Sequence, residues 1–167
     1  STQTTATRGY TTYQDRKLEN LPSDTGYIRI VQFMYSGSAN ALDEFTQAMA
    51  LFKERGLKRL VLDVKGNPGG SVDYVCKIAA MLVDDFNLTS EQKSAVKSGN
   101  KLLITKLVPK NESQSQSEYF ASSYKDYFQV PADGKCNIVI WTDGNSASAS
   151  ELITGALTDY GTAVQMG

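Results

Sequence analysis

Two short turns in this sequence bring together residues that could do chemistry. The later one, Asp143-Gly144-Asn145-Ser146-Ala147-Ser148-Ala149-Ser150, alternates hydroxyls with methyls. It follows an apolar run, "CNIVIWT", and precedes Leu152, Ile153, Ala156 and Leu157, which recur at helical spacing. Serine hydroxyls at a helix start can cap the free N–H groups there, and those N–H groups also favour any negative charge that forms beside them. The earlier turn, Gly66-Asn67-Pro68-Gly69-Gly70, sits between "RLVLDVK" and a second helix-patterned segment. Adjacent glycines at a helix head let the backbone come close to a ligand, and an oxyanion suits such a place. Each turn also has a plainer reading. "NPGG" is an ordinary tight turn, and Ser146 with Glu151 nearby is common helix-start chemistry.

Composition removes several alternatives. The chain contains no histidine, so a Ser-His-Asp triad, a histidine-ligated metal and a histidine general base are all excluded for these 167 residues acting alone. Lys plus Arg number 17 against 18 Asp plus Glu, and no basic stripe argues for nucleic acid. No apolar run approaches the roughly 20 residues of a membrane span, and no basic start or apolar signal core is present, although a signal or anchor removed earlier is compatible with that. There is no P-loop, no dinucleotide fingerprint and no metal-spaced Cys/His set, so neither cofactor nor metal is expected. Cys76, in an apolar helical pattern, and Cys136, opening a strand, read as small buried hydrophobes rather than a disulfide. The triplets at Asn87 and Asn111 are too common by chance to place the chain in a compartment.

The elements that must hold the two turns follow from periodicity. Residues 1–25 form a polar lead-in with room for one edge strand. "GYIRIVQF" from Gly26 is β-branched and bounded by turn residues, which predicts a strand. "SANALDEFTQAMALFKERG" predicts a helix, with Leu42, Phe45, Met49 and Phe52 on one face, Ser38 or Asn40 as cap and Gly56 as stop. "KRLVLDV" is a second buried strand, and Val72, Val75, Ala79 and Leu82 mark a second helix. This β-α-β-α order predicts an α/β fold with a mainly parallel sheet flanked by helices, in one domain. Residues 84–135 interrupt the rhythm as an insertion, within which Phe120, Tyr124, Tyr127 and Phe128 fall at helical spacing and predict a packed helix. Strand, serine turn and helix then follow, and "TAVQMG" starts a last strand. In such sheets ligands bind beyond the carboxyl ends of the strands, where both turns lie.

Taken together, "YIRIVQF", "LVLDVKGNPGG" and "NIVIWTDGNSASASELITGALTDYGTAVQMG" resemble the catalytic core of the C-terminal processing, or tail-specific, serine peptidases. The resemblance spans roughly residues 26–83 and 136–167. It implies a crotonase-like, Clp-protease-like core and a serine endopeptidase acting on protein tails or unfolded polypeptide through an acyl-enzyme. It further implies Ser148 as nucleophile, the N–H groups of Ala149 and of Gly69 or Gly70 as oxyanion hole, and Glu151 and Asp159 as supporting residues. Ser146 and Ser150 are then caps or packing residues. The resemblance also implies a lysine base, which the family carries in sequence beyond Gly167. Lys65, beside the glycine turn, is the one substitute in view and does not match the family's base. The 167 residues are therefore expected to be a peptidase core truncated at its C-terminus and inactive alone, with an unpaired sheet edge that invites homodimers. Family habit places the parent outside the cytoplasm. A catalytically silent peptide-binding module of the same fold is the alternative, and acyl-thioester chemistry on a crotonase-type core is a weaker third.

Overall fold

The structure is a computed structural model that describes residues 2–6, 12–13, 16–17, 21–36, 39–82, 101–106, 116–121, 137–159 and 161–167. In chain order these form β1 (Thr2–Ala6), β2 (Thr12–Tyr13), β3 (Arg16–Lys17), β4 (Thr25–Ile30), β5 (Tyr35–Ser36), β6 (Ala39–Asn40), α1 (Ala41–Glu54), β7 (Arg59–Asp63), α2 (Val72–Leu82), β8 (Lys101–Lys106), β9 (Gln116–Ala121), β10 (Ile138–Trp141), α3 (Ala149–Asp159) and β11 (Ala163–Met166).

Five strands make the main sheet in the order β1-β4-β7-β10-β11. β1 joins antiparallel and the other neighbours pair in parallel, as the β-α-β-α rhythm requires. Alternation decides the faces. Ile28, Ile30, Leu60, Leu62, Ile138 and Ile140 point to one side and share a single core with Phe45, Met49 and Phe52 of α1, Ile78 of α2 and Ile153 and Leu157 of α3. Each of those fully buried large side chains contributes about 1.5–3 kcal/mol by leaving water. On the other side, Tyr27 and Val61 pack with the half-buried Leu21 and Trp141.

The local signals act as expected around α1. Asn40 is its cap, with Oδ1 accepting from the N–H groups of Leu42 at 2.9 Å and Asp43 at 3.4 Å. Gly56 ends it at φ +69°, a conformation that glycine adopts without strain. Two expectations need correction. Cys76 is in no disulfide and is only half-buried, because it lies on the flank of α2 rather than on its core face. Phe120 lies in a strand, not a helix: Gln116–Ala121 pairs antiparallel with Lys101–Lys106, and Phe120 stands opposite Leu102. The ladder pairs the partner-facing N–H and C=O groups of that strand, and consecutive aromatics suit a strand as well as a helix face. Tyr124, Tyr127, Phe128, Asn87, Asn111 and Cys136 lie outside the described residues.

Candidate active site

Three loops leave the carboxyl ends of three neighbouring parallel strands, β4, β7 and β10, and meet. From β4 comes Phe33, which bridges to Gly70: its N–H donates to the carbonyl of Gly69 at 2.9 Å, and its own carbonyl accepts from Ser71 at 2.6 Å. From β7 comes the turn Gly66–Gly70, and from β10 the turn Asp143–Ser148. Both turns are polar, and hydrogen bonds between them do the joining.

Asp143 Oδ1 accepts from the N–H of Gly66 at 2.9 Å, across the gap, and from the N–H of Asn145 at 2.9 Å within its own turn. The Ser146 hydroxyl donates to the carbonyl of Val64 at 2.8 Å and accepts from the N–H of Asp143 at 3.0 Å. The buried Ser150 hydroxyl donates to the carbonyl of Asn67 at 2.9 Å, and the N–H of Ala147 donates to the same carbonyl at 3.0 Å. Ser146 and Ser150 are thus struts between the turns.

The hydrogen bond from Gly66, opposed in part by desolvation and aided by Asn145, Ser146 and the charge of Lys65, holds the Asp143 carboxyl below its usual 3.8. A depressed folded value means that the stabilisation is complete above 3.8 and fades as pH falls below it. Asp143→Ala should therefore lower the melting temperature at pH 7, and the gap to wild type should narrow below pH 3.8. Because Asp143 is exposed the effect is modest. A gap of constant size from pH 7 to 3 would remove the carboxylate from the link.

Ser148 stands apart from its two neighbours. Its φ of +54° is the only positive value outside glycine among the described residues. For a residue with a Cβ this region costs on the order of 1–2 kcal/mol. Its N–H donates to Glu151 Oε2 at 2.7 Å, the return half of a capping box. Its hydroxyl, by contrast, caps nothing: among the described residues Ser148 Oγ has no hydrogen-bond partner. The side chain is exposed at the very start of α3.

The glycine turn presses against this serine. A Cβ added to Gly69, at φ +109°, would lie 2.8 Å from Ser148 Cβ and 2.9 Å from the nitrogen of Ala149, so only glycine fits. The N–H of Gly69 is taken by Asn67 Oδ1 at 2.8 Å. Among the described residues the N–H groups of Gly70 and Ala149 have no acceptor. An exposed hydroxyl in strained backbone, with two unpaired N–H donors on the segments that flank it, is the arrangement that nucleophilic acyl transfer uses.

Of the residues singled out in the sequence, the fold gathers Ser148, Ala149, Gly69, Gly70 and Glu151. Asp159 is the last residue of α3, about 15 Å along the axis from its start, and is not brought to the turn. Lys65 places its Nζ over the Trp141 ring, 5.7 Å from the centroid. Among the described residues no group of three or more His, Cys, Asp or Glu is disposed to hold a metal. Beside the turn a polar cleft of about 500 Å³ runs between α3 and the ends of β10 and β11, lined by residues that include Asp143, Ser146, Glu151, Thr154 and Gln165. Sequence reasoning passed over Asn67, although an asparagine before Pro-Gly-Gly at a strand end, a residue type able to satisfy two backbone groups at once, was a usable signal.

The family model described as peptidase family S41 matches residues 24–167. The chain belongs to peptidase family S41. This S41 chain is 30% identical over 153 residues to a carboxyl-terminal-processing protease of Picosynechococcus sp., covering 92% of the chain and 30% of that protein. It is 31% identical over 135 residues to a Staphylococcus aureus protein named "Probable CtpA-like serine protease", covering 81% of the chain and 22% of the other. It therefore spans less than a third of the length of either relative. Among solved structures, the photosystem II D1 C-terminal processing protease superposes with a TM-score of 0.56 at 24% identity, over 84% of this chain and 29% of that one, a likeness of fold. The S41 membership agrees with the family resemblance carried by the two turns and their flanking strands.

Proposed function

We propose that this chain supplies the acylating core of a serine endopeptidase that cleaves protein tails or unfolded polypeptide. Ser148 Oγ attacks the peptide carbonyl carbon and gives up its proton to a general base. The carbonyl oxygen becomes an oxyanion that accepts from the N–H groups of Ala149 and Gly70, at the positive end of α3. Collapse breaks the C–N bond, the amine leaves with a proton, and water then hydrolyses the Ser148 ester. Glu151 keeps the start of α3 in place, and Asp159 has no part in the chemistry. The base is a lysine outside residues 1–167, so the chain by itself is inactive. In keeping with this, histidine is absent, Ser148 Oγ has no partner among the described residues, and Lys65 is turned to Trp141.

The observation that carries the reading is Ser148 itself, held at φ +54° with a hydroxyl that no structural bond uses among the described residues. The test is reaction of the longest native polypeptide containing this chain with a fluorophosphonate, the adduct being located by peptide mass mapping. One adduct, on Ser148, is expected, and none when residues 1–167 are treated alone. Absence of any adduct in the longer polypeptide would leave a peptide-binding module in place of an enzyme.

A further inference from the structure

Asn67 is completely buried, and it touches all three loops of the site. Its Nδ2 donates to the carbonyl of Ile30, at the end of β4, at 2.8 Å, and its Oδ1 accepts from the N–H of Gly69 at 2.8 Å. Its main-chain carbonyl accepts from Ala147 and from the Ser150 hydroxyl, on either side of Ser148, and its own N–H donates to Val64 at 3.1 Å. Burying an amide is costly unless its groups are paired, and here both ends of the side chain are. Its consequence falls on the glycine pair. One glycine N–H is consumed inside the turn, and the next, that of Gly70, is left as a donor with no acceptor among the described residues.

From this geometry we infer that Asn67 is a positioning residue for acyl transfer: by holding the Gly69 N–H it orients the turn so that Gly70 faces the oxyanion, and through its carbonyl it locks that turn to the Ser148 helix. The inference rests on the acyl-transfer reading of Ser148. Without the side chain, the Gly69 N–H is released, the turn can rotate, and the donor aimed at the oxyanion is lost. The ground-state peptide, which carries little charge on its carbonyl oxygen, would notice this less than the transition state.

The experiment uses the longest native polypeptide containing this chain, with Asn67→Ala, Asn67→Asp, Ser148→Ala and a core control, Ile78→Val. Peptide hydrolysis gives kcat and KM, inhibition by a peptide boronate reports the tetrahedral adduct, and melting reports the fold. Asn67→Ala should lower kcat about 100-fold with KM within about 3-fold, and weaken the boronate in step with kcat. Asn67→Asp should regain activity as pH is lowered from 8 to about 5, because only the protonated carboxyl can donate to Ile30 while accepting from Gly69. Wild type should show no such gain. If Asn67→Ala does not fold, the Asn67→Asp pH series decides alone, and a flat series overturns the inference. It is equally overturned if kcat loss merely follows melting temperature, as Ile78→Val calibrates, or if the boronate binds as in wild type. Hydrolysis that survives in Ser148→Ala removes the acyl-transfer reading and this inference with it. Loss in Ser148→Ala alongside wild-type rates in both Asn67 variants removes the inference only.

Discussion

Ser148→Ala is expected to leave the fold almost untouched while removing hydrolysis by the intact protein, with kcat falling on the order of 10⁴-fold or more. The stability half follows from the hydroxyl's position: it is exposed and makes no hydrogen bond among the described residues, so its loss should cost no more than about 0.5 kcal/mol. The strain half is tested by a companion. Glycine is at ease at φ +54°, and Ser148→Gly should gain about 0.5–1 kcal/mol in urea unfolding, once its greater unfolded-state entropy is subtracted from the relieved strain. A mutant more stable than the parent yet without activity is what a residue kept for chemistry would give. If Ser148→Ala instead lost more than about 2 kcal/mol, its hydroxyl would be a structural strut like those of Ser146 and Ser150.

Gly70→Ala is expected to cost about 3–5 kcal/mol, combining backbone strain with a steric clash. The added Cβ would stand 2.1 Å from the carbonyl oxygen of Phe33 and 2.6 Å from its carbon, and φ is +136°. Those Phe33 atoms are backbone, fixed by bonds to Gly69 and Ser71, and cannot swing aside as a side-chain tip would. Relief can come only by pulling the glycine turn away from β4, which also carries the Gly70 N–H out of place. Whatever Gly70→Ala remains folded at low temperature should therefore be inactive. Gly155→Ala is the control: it lies inside α3 with no atom beyond its chain neighbours and the helix's own backbone within 4 Å of the new methyl, and should gain about 0.8–1 kcal/mol. Near-equal melting of Gly70→Ala and wild type would show that the turn does not sit against Phe33.

How much of this was legible in the sequence depends on how local each signal is. α1 could be read from Asn40, its apolar face and Gly56 because a helix is closed by bonds within a few residues. The parallel order of β4, β7 and β10 followed from the alternation of strand and helix, a rule of chain connection. The strand at Gln116–Ala121 was missed because its partner lies at Lys101–Lys106, and no periodicity within the segment reveals that pairing. The site shows the same division. Two turns of unusual composition after strands, and a named resemblance, pointed to Ser148 and the glycines, but left Gly69 and Gly70 equivalent. What separates them is the Asn67 side chain bound to Gly69, a contact that spacing does not encode. Nor could residue type foretell that Ser146 and Ser150 would spend their hydroxyls on carbonyls of the other turn while Ser148 kept its own. Asp159 was carried over by position in the sequence, and the rise of the helix takes it to the far end.

Trp141 is the only tryptophan in the chain, and its place at the end of β10 gives it a use unrelated to catalysis. Its ring lies 5.9 Å from that of Tyr27, it has the Lys65 ammonium over it, and two residues later the chain enters the serine turn. Lys65 in turn leads directly into the glycine turn. Separation of the two turns would move a charge relative to the sole indole and change the solvent around it. The protein therefore carries an intrinsic optical gauge at this junction, and any separation of the two turns would register in its ultraviolet emission with no dye attached and no residue replaced.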